Sequence, residues 1–381
     1  MKFFHTADWH LGKLVQGVYM TDGQRFILRQ FVDAIKKEKP DAVIIAGDLY
    51  DRAVPPTEAV NLLDEVLQEI VMELHTPVIA VAGNHDSPSR LHFGSDLLRK
   101  NGLYIVGRLA KQTTPFVLKD ADGEVYFHPV PFVDPSVCRH FYEDDTIRDF
   151  HSAMKRIIEE LHLAPDARHV LIGHAFVTPG GEEAENTSDS ERPLSIGGAE
   201  YVSAELFKPF HYTALGHLHQ AHFVGQEKIR YAGSPMKYSI SEEHHVKGFY
   251  IVDMDGEGQV TVEKRELIPD KDLRTVKGTM DEILRHEPSE DFVFIQLQDD
   301  TPVLYPMEKV RSVYPNAMHI ERALPKLAAT IENRSAEMHT KPSDLDLFRV
   351  FYAEMKEVEA DEETLSILSN LLHDVMNKEE A

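Results

Sequence analysis

Five short apolar runs in this chain each end in residues able to bind metal. Asp41-Ala42-Val43-Ile44-Ile45-Ala46 runs into Gly47-Asp48. Five apolar residues without a break form the pattern of a strand buried on both faces. Gly47 lets the backbone turn, and Asp48 then falls at the strand's carboxyl edge, where open α/β sheets place ligands. Lys2 to Ala7 likewise leads to Asp8-Trp9-His10, and Pro77 to Ala82 to Gly83-Asn84-His85-Asp86. Val170 to Ile172 leads to Gly173-His174, and Tyr212 to Leu215 to Gly216-His217-Leu218-His219. Each block alone is an ordinary turn signal. Together they deliver Asp, His and Asn to strand ends, four times through a glycine.

That donor set suits a pair of cations. Two metal ions about 3.5–4 Å apart clamp the attacking and leaving oxygens of a phosphoryl displacement. A shared carboxylate lowers their mutual repulsion, and Asp48 is the expected bridge. Imidazoles and one amide oxygen complete the set without excess negative charge, so an anionic substrate can still approach.

The 381 residues and 42% hydrophobic content support one large domain with one or two smaller ones. The single cysteine, Cys138, forms no internal disulfide, which fits a reducing compartment. Asp8 and His10 interrupt any apolar leader, and no run approaches the ~20 apolar residues of a membrane span. A soluble cytoplasmic protein is expected. The formal charge of −24 argues against broad binding of nucleic acid by the isolated chain. Bound cations or a basic partner would offset it.

Residues 1 to about 265 alternate strand and helix patterns, so the fold class is α/β, a mixed sheet or sandwich with outer helices. Gln24 to Lys37 carries a helical apolar stripe. Thr57 to Leu74 is a second helix with Thr57 as its cap, and Asp149 to Leu163 a third. Late strands are expected at Arg230 to Ala232 and Phe249 to Val252. Thr178 to Gly198 is polar, acidic and Ser-rich, either a solvated loop or a substrate-side loop following His174. A boundary falls at Ile268 to Asp272, dividing a 1–268 domain from a small α+β module over 273–332. That module is expected to run helix, strand, helix, strand. A linker over Asn333 to Ser343 leads to a tail, 344–378, of two amphipathic helices. One places Leu345, Phe348, Phe351, Tyr352 and Met355 together; the other Leu365, Leu368, Leu372, Val375 and Met376. They either fold back on the body or dock on another protein's helices.

In order, Asp8-x-His10, Gly47-Asp48, Gly83-Asn84-His85-Asp86, Gly173-His174 and Gly216-His217-x-His219 match the motifs of the calcineurin-like metallophosphoesterases. Thr6-Ala7-Asp8-Trp9-His10-Leu11-Gly12, Tyr231-Ala232-Gly233-Ser234-Pro235 and the two-part C-terminus narrow the likeness. They resemble the bacterial counterparts of the meiotic-recombination nuclease. The resemblance implies a β-sandwich flanked by helices, with 273–332 as a capping module. It implies that Asp8, His10 and His219 hold one metal and Asn84, His174 and His217 the other, with Asp48 between them. Manganese is the family's usual ion, although these N and O ligands also suit zinc, magnesium or other divalent ions. His85 is expected to face the scissile phosphate, stabilising charge or protonating the leaving oxygen. Gly47-Asp48-x-x-Asp51-Arg52 is similar to a phosphoprotein-phosphatase motif, which implies a pairing of Asp51 with His85; otherwise Asp51 is a turn residue.

The implied activity is metal-dependent cleavage of DNA in replication, recombination and repair. It comprises 3′–5′ double-strand exonuclease and single-strand or hairpin endonuclease steps. A nuclease dimer with an SMC-like ATPase on the tail helices, near the nucleoid, is also implied. Two rivals stand beside it. One is a two-metal phosphoesterase acting on a phosphoprotein or small nucleotide; the other is a scaffold whose metal site is structural. Trp9 is expected to pack rather than stack on a base, and His5, His128 and His169 to be ordinary packed or surface histidines.

Overall fold

The computed structural model describes residues 1–110, 114–181, 188–191 and 200–322, with scattered positions between 345 and 371. The chain divides into two compact units. The first is Met1–Thr275 with Pro288–Phe294 and Tyr314–His319; the second is Val276–Glu287, Ile295–Val313 and Ile320–Ala381.

The first unit is built on two six-stranded sheets. One runs Val260–Glu266, Gly248–Met254, Lys2–Thr6, Ala42–Ile45, Val78–Val81 and Leu103–Val106. Its last four strands are parallel, and the first two are joined antiparallel. The other runs His222–Val224, Gln226–Tyr231, Tyr212–Gly216, Arg168–His174, Gly123–Val130 and Phe116–Asp120, with a parallel centre and antiparallel edges.

Side chains alternate across a strand, so each central strand feeds two cores. Ala42 and Ile44 join Phe3, Ile79, Phe127, Ile172 and Tyr212 between the sheets. Val43 and Ile45 face the helices Thr21–Glu38 and Thr57–Gln68, packing with Phe31, Leu62 and Phe249. Leu171 and Leu215 face the helices Pro135–Tyr142 and Phe150–Glu159 on the other side. The unbroken apolar runs follow from burial on both faces.

Local differences from the expected elements have physical causes. Thr57 is the first helical residue rather than the cap; extended Pro56 precedes it, and no side chain caps that end. The helix closes at Gln68 and continues as a wider π turn over Glu69–Glu73. The helix expected over Asp149 to Leu163 runs Phe150–Glu159, with Asp149 as its cap in a reciprocal capping box with Ser152. The 273–322 stretch opens with an unexpected strand, Leu273–Gly278, before Met280–Ile283, Phe292–Leu297, Pro306–Val310 and Ala317–Arg322. Its three strands form one sheet. Leu273 and Val276 are buried three residues apart, which hides the two-residue period of a strand. The Asn333–Ser343 linker, most of the tail and most of Thr178–Gly198 lie outside the described residues. Among the described residues no helix is long and apolar enough to cross a membrane.

Three histidines behave as core residues. His5 sits between the sheets, bonded to the Tyr212 hydroxyl at 3.0 Å and the Leu215 carbonyl at 3.2 Å. Burial holds its pKa down at about 3. His128 pairs with His169 at 2.9 Å, and burial followed by repulsion from His169 lowers His128 from 6.5 to about 4. Above 6.5 His128 is neutral whether folded or not. Below that the unfolded chain takes up the proton first, so stability falls until about pH 4. The loss attached to this one group is roughly 3 kcal/mol, at about 1.4 kcal/mol per pKa unit. We expect His128→Gln to flatten the urea-unfolding free energy between pH 6.5 and 4 by that amount. Parallel profiles for the two proteins would contradict the assignment.

Candidate metal centre

The carboxyl ends of the central strands from both sheets meet at one rim. Lys2–Thr6, Ala42–Ile45 and Val78–Val81 bring Asp8, Asp48 and Asn84 from one sheet. Arg168–His174 and Tyr212–Gly216 bring His174, His217 and His219 from the other. Three glycines allow the approach. A Cβ on Gly47 would lie 2.2 Å from His174 Nδ1, one on Gly83 2.1 Å from Asp48 Oδ1, and one on Gly216 1.9 Å from the Ala46 carbonyl.

The backbone is strained where the candidate ligands sit. Asp8 (φ 54°), His10 (45°), Asp48 (51°) and His217 (109°) all adopt the left-handed region, and so does Gly47 (94°). Non-glycine residues are held there only when their surroundings over-determine them, as at functional sites. Gln24 braces the first of these loops, donating to the carbonyls of Trp9 (3.1 Å) and His10 (2.8 Å) and accepting from Gly12 N (3.1 Å). Asp86 ties two loops together by accepting from Leu49 N, Tyr50 N and Gly83 N at 3.0–3.1 Å. Burial and then the neighbouring Asp48 push Asp86 up to about 7, against the pull of those donors.

The side chains fall into two groups around Asp48. His10 Nε2 lies 3.1 Å from His219 Nε2 and 3.6 Å from Asp48 Oδ2. His174 Nε2 lies 2.8 Å from Asn84 Oδ1 and 3.5 Å from the same Asp48 oxygen. Asp8 and Asp48 are essentially buried, and with His10 they bring one ligand atom each within 4.8 Å. Asp8 Oδ1 and Asp48 Oδ1 accept main-chain N–H bonds from His217 and His85, each at 2.9 Å. His217 lies with its ring 5.5 Å from that of His174.

These residues fit divalent cations because of where their own electron pairs point. His174 Nδ1 is 3.0 Å from the Ala46 carbonyl, which accepts only. With the proton on Nδ1, the Nε2 pair faces the oxygens of Asn84 and Asp48. The other tautomer faces a pair toward Ala46 instead, so a neutral ring leaves one contact repulsive unless a cation lies between. Burial first, and neighbouring imidazoles next, hold His10 and His217 well below the usual histidine range and therefore neutral. Burial lowers His174 too, opposed by Asp48. Burial and then Asp48 raise Asp8 well above the carboxylate range, a penalty that positive charge removes. Asp8 Oδ2 and His10 Nδ1 are buried without a hydrogen-bond partner.

His85 lies beside this cluster, its ring 4.6 Å from that of His10. The anticipated carboxylate–imidazole pair with Asp51 is not how the two meet. His85 Nδ1 donates to the main-chain carbonyl of Asp51 at 2.7 Å. The Asp51 carboxylate turns instead to Lys13 Nζ at 2.9 Å, with His10 Nδ1 at 3.7 Å. A lysine in reach neutralises the carboxylate, and the carbonyl is free to serve the ring. Trp9 is fully buried, donates to Thr6 Oγ1 at 2.9 Å and packs against Phe31.

Sequence reasoning missed the layer behind the ligands. Glu242, fully buried, accepts from His219 Nδ1 at 3.1 Å and from Lys247 Nζ at 2.5 Å. Ser190 and Glu191, from the acidic polar segment, also reach His219 through its Nδ1 at 2.7 Å and its main-chain N–H at 2.5 Å. Gln24 had a signal, since it sits three residues before Ile27 on the buried face of its helix. Glu242 had none in its Ser239-Ile240-Ser241-Glu242-Glu243 surroundings.

Two layered sheets with this rim define a metal-dependent phosphoesterase, and the family model for calcineurin-like phosphoesterases matches residues 1–221. The model described as "Type 5 capsule protein repressor C-terminal domain" matches residues 269–356. Over 385 aligned residues the chain is 32% identical to the SbcD subunit of the nuclease SbcCD from Staphylococcus epidermidis, covering 100% of both. This chain belongs to the SbcD family of calcineurin-like phosphoesterases. Among solved structures, TT1561 of Thermus thermophilus is 13% identical with a TM-score of 0.37, over 69% of this chain and 98% of that one. A dimetal phosphatase from Danio rerio is 13% identical with a TM-score of 0.40, over 70% and 96%.

Proposed function

We propose that this chain is a metal-dependent DNA nuclease, the catalytic subunit of an SbcCD-type complex. The observation that carries the reading is the convergence of Asp8, Asp48, Asn84, His174 and His219 on one rim. Full-length likeness to a nuclease subunit supports the substrate class. In this reading Asp8, His10 and His219 hold one divalent ion, Asn84, His174 and His217 hold a second, and Asp48 lies between. Manganese is the ion we infer. Bound there, the ions supply positive charge to the phosphate and orient the attacking and leaving oxygens.

The chain's own residues do the rest. Asp48 Oδ1 takes the His85 main-chain N–H and so fixes where that ring stands. With its Nδ1 proton engaged by Asp51, the His85 ring turns Nε2 outward, free to hold or deliver a proton at the leaving 3′ oxygen. Asp51 thus acts on His85 through its carbonyl.

The finer activity is 3′–5′ exonuclease on duplex ends and endonuclease on single strands and hairpins, in the cytoplasm near the nucleoid. We infer a nuclease dimer within a heterotetramer, with an SbcC-type SMC-like ATPase held by the 344–378 tail and 273–332 serving as the capping module. A partner also accounts for DNA binding by a chain of formal charge −24.

Manganese-dependent digestion of end-labelled duplex and hairpin DNA tests the reading, with and without the coiled-coil ATPase. Cleavage of both DNAs, stimulated by ATP when the partner is present, is expected. Failure to cleave either under any divalent metal, with turnover of a nitrophenyl phosphodiester retained, would move the assignment to a small-substrate phosphoesterase.

A further inference from the structure

We propose that Glu242 and Lys247 form a positioning pair for the metal centre: Glu242 keeps the His219 proton on Nδ1, so that the Nε2 electron pair points at the cations, and Lys247 fixes Glu242. This rests on the reading of His219 as a ligand and carries it one layer outward.

The geometry leaves His219 little freedom. Its Nε2 lies 3.1 Å from His10 Nε2, on the side of the cluster. Its Nδ1 faces Glu242 Oε1 at 3.1 Å and Ser190 Oγ at 2.7 Å. Ser190 Oγ in turn donates to Glu242 Oε1, so the hydroxyl relays the same preference. A carboxylate opposite Nδ1 repels a lone pair there and accepts a proton. The tautomer that would aim an N–H at a cation is therefore excluded. Carboxylate partners of this kind set ring orientation and ligand basicity in histidine metal sites.

Lys247 makes the arrangement rigid. All three of its protons have acceptors: Glu242 Oε2 at 2.5 Å, Ser234 Oγ at 2.8 Å and the His219 carbonyl at 2.9 Å. One ammonium group thus grips His219 by its main chain and, through Glu242, by its ring. Glu242 also takes the Tyr238 main-chain N–H at 3.4 Å and the Ser239 hydroxyl at 3.2 Å. Tyr238 donates its own hydroxyl to the Trp9 carbonyl at 2.5 Å, beside His10. A fully buried carboxylate and a lysine 6% exposed are weak contributors to net stability. Their value lies in fixing one geometry, and the atom they fix is a candidate ligand.

The test is a manganese titration of the full chain followed by electron paramagnetic resonance. Glu242→Asp keeps the charge that Lys247 needs and withdraws the carboxylate by one methylene. Glu242→Gln with Lys247→Met removes both charges at near-constant volume. In either variant one manganese site is expected to weaken by roughly 10–100-fold while the other holds its affinity. DNA cleavage should recover as manganese is raised, shifting the metal requirement rather than the maximal rate. Wild-type affinity at both sites in folded Glu242→Asp protein would overturn the proposal, leaving the pair a purely structural contact. Wild-type protein that binds manganese but cleaves no DNA would sink the nuclease assignment alone. Wild-type protein that takes up no manganese would sink the cation reading beneath both.

Discussion

Asp48→Asn is expected to cut DNA cleavage by roughly 10³-fold or more at any manganese concentration, the largest single-residue effect we predict. Asp48 Oδ2 lies near ring nitrogens of both groups of ligands, 3.6 Å from His10 Nε2 and 3.5 Å from His174 Nε2. An amide in its place is neutral, so two cations would face each other with less charge between them. The amide oxygen still accepts the His85 main-chain N–H, which lies 2.9 Å from Asp48 Oδ1, so the change acts through the lost charge. Uptake of the second ion should weaken along with turnover. Cleavage rates and manganese stoichiometry measured on the same preparation check this. Full activity in the variant would leave the cluster without a catalytic role.

His85→Gln should show the complementary pattern, a loss of about 10²–10⁴-fold in turnover with manganese binding intact. The His85 ring donates to the Asp51 carbonyl at 2.7 Å and stands next to His10, and the residue meets Asp48 through its main-chain N–H, which a substitution keeps. Its removal therefore takes away a proton at the leaving oxygen and leaves the ligands in place. A substrate with a much better leaving group needs that proton less, so the deficit should shrink on a nitrophenyl phosphodiester. An equal deficit on both substrates, or a loss of manganese in step with activity, would count against the role. Asp51→Asn is expected to perturb this far less than a carboxylate–imidazole partnership would require, because the interacting atom is a main-chain oxygen.

That contrast shows what the sequence made legible. Asp48 could be found because a strand buried on both faces must be apolar along its length, so the polar residue at its end stands out. Gly47, Gly83 and Gly216 sharpened the signal, since each is a position where a Cβ would collide with a neighbour. The Asp51–His85 contact was misread because a main-chain carbonyl carries no mark of residue type. Glu242 and Lys247 were invisible for a related reason: an acid and a base five residues apart on the surface look the same as a buried pair. The Leu273–Gly278 strand was missed because its two apolar residues, Leu273 and Val276, are three apart and so fall on opposite faces, leaving no alternation to read. What folds by pattern was readable; what depends on which atom meets which was not.

The most direct test of the central claim is anomalous scattering from crystals grown with manganese. We predict two peaks at the rim, both beside Asp48, one flanked by Asp8, His10 and His219 and the other by Asn84, His174 and His217. Peaks elsewhere on the molecule, or a single ion that leaves Asp48 untouched, would contradict it.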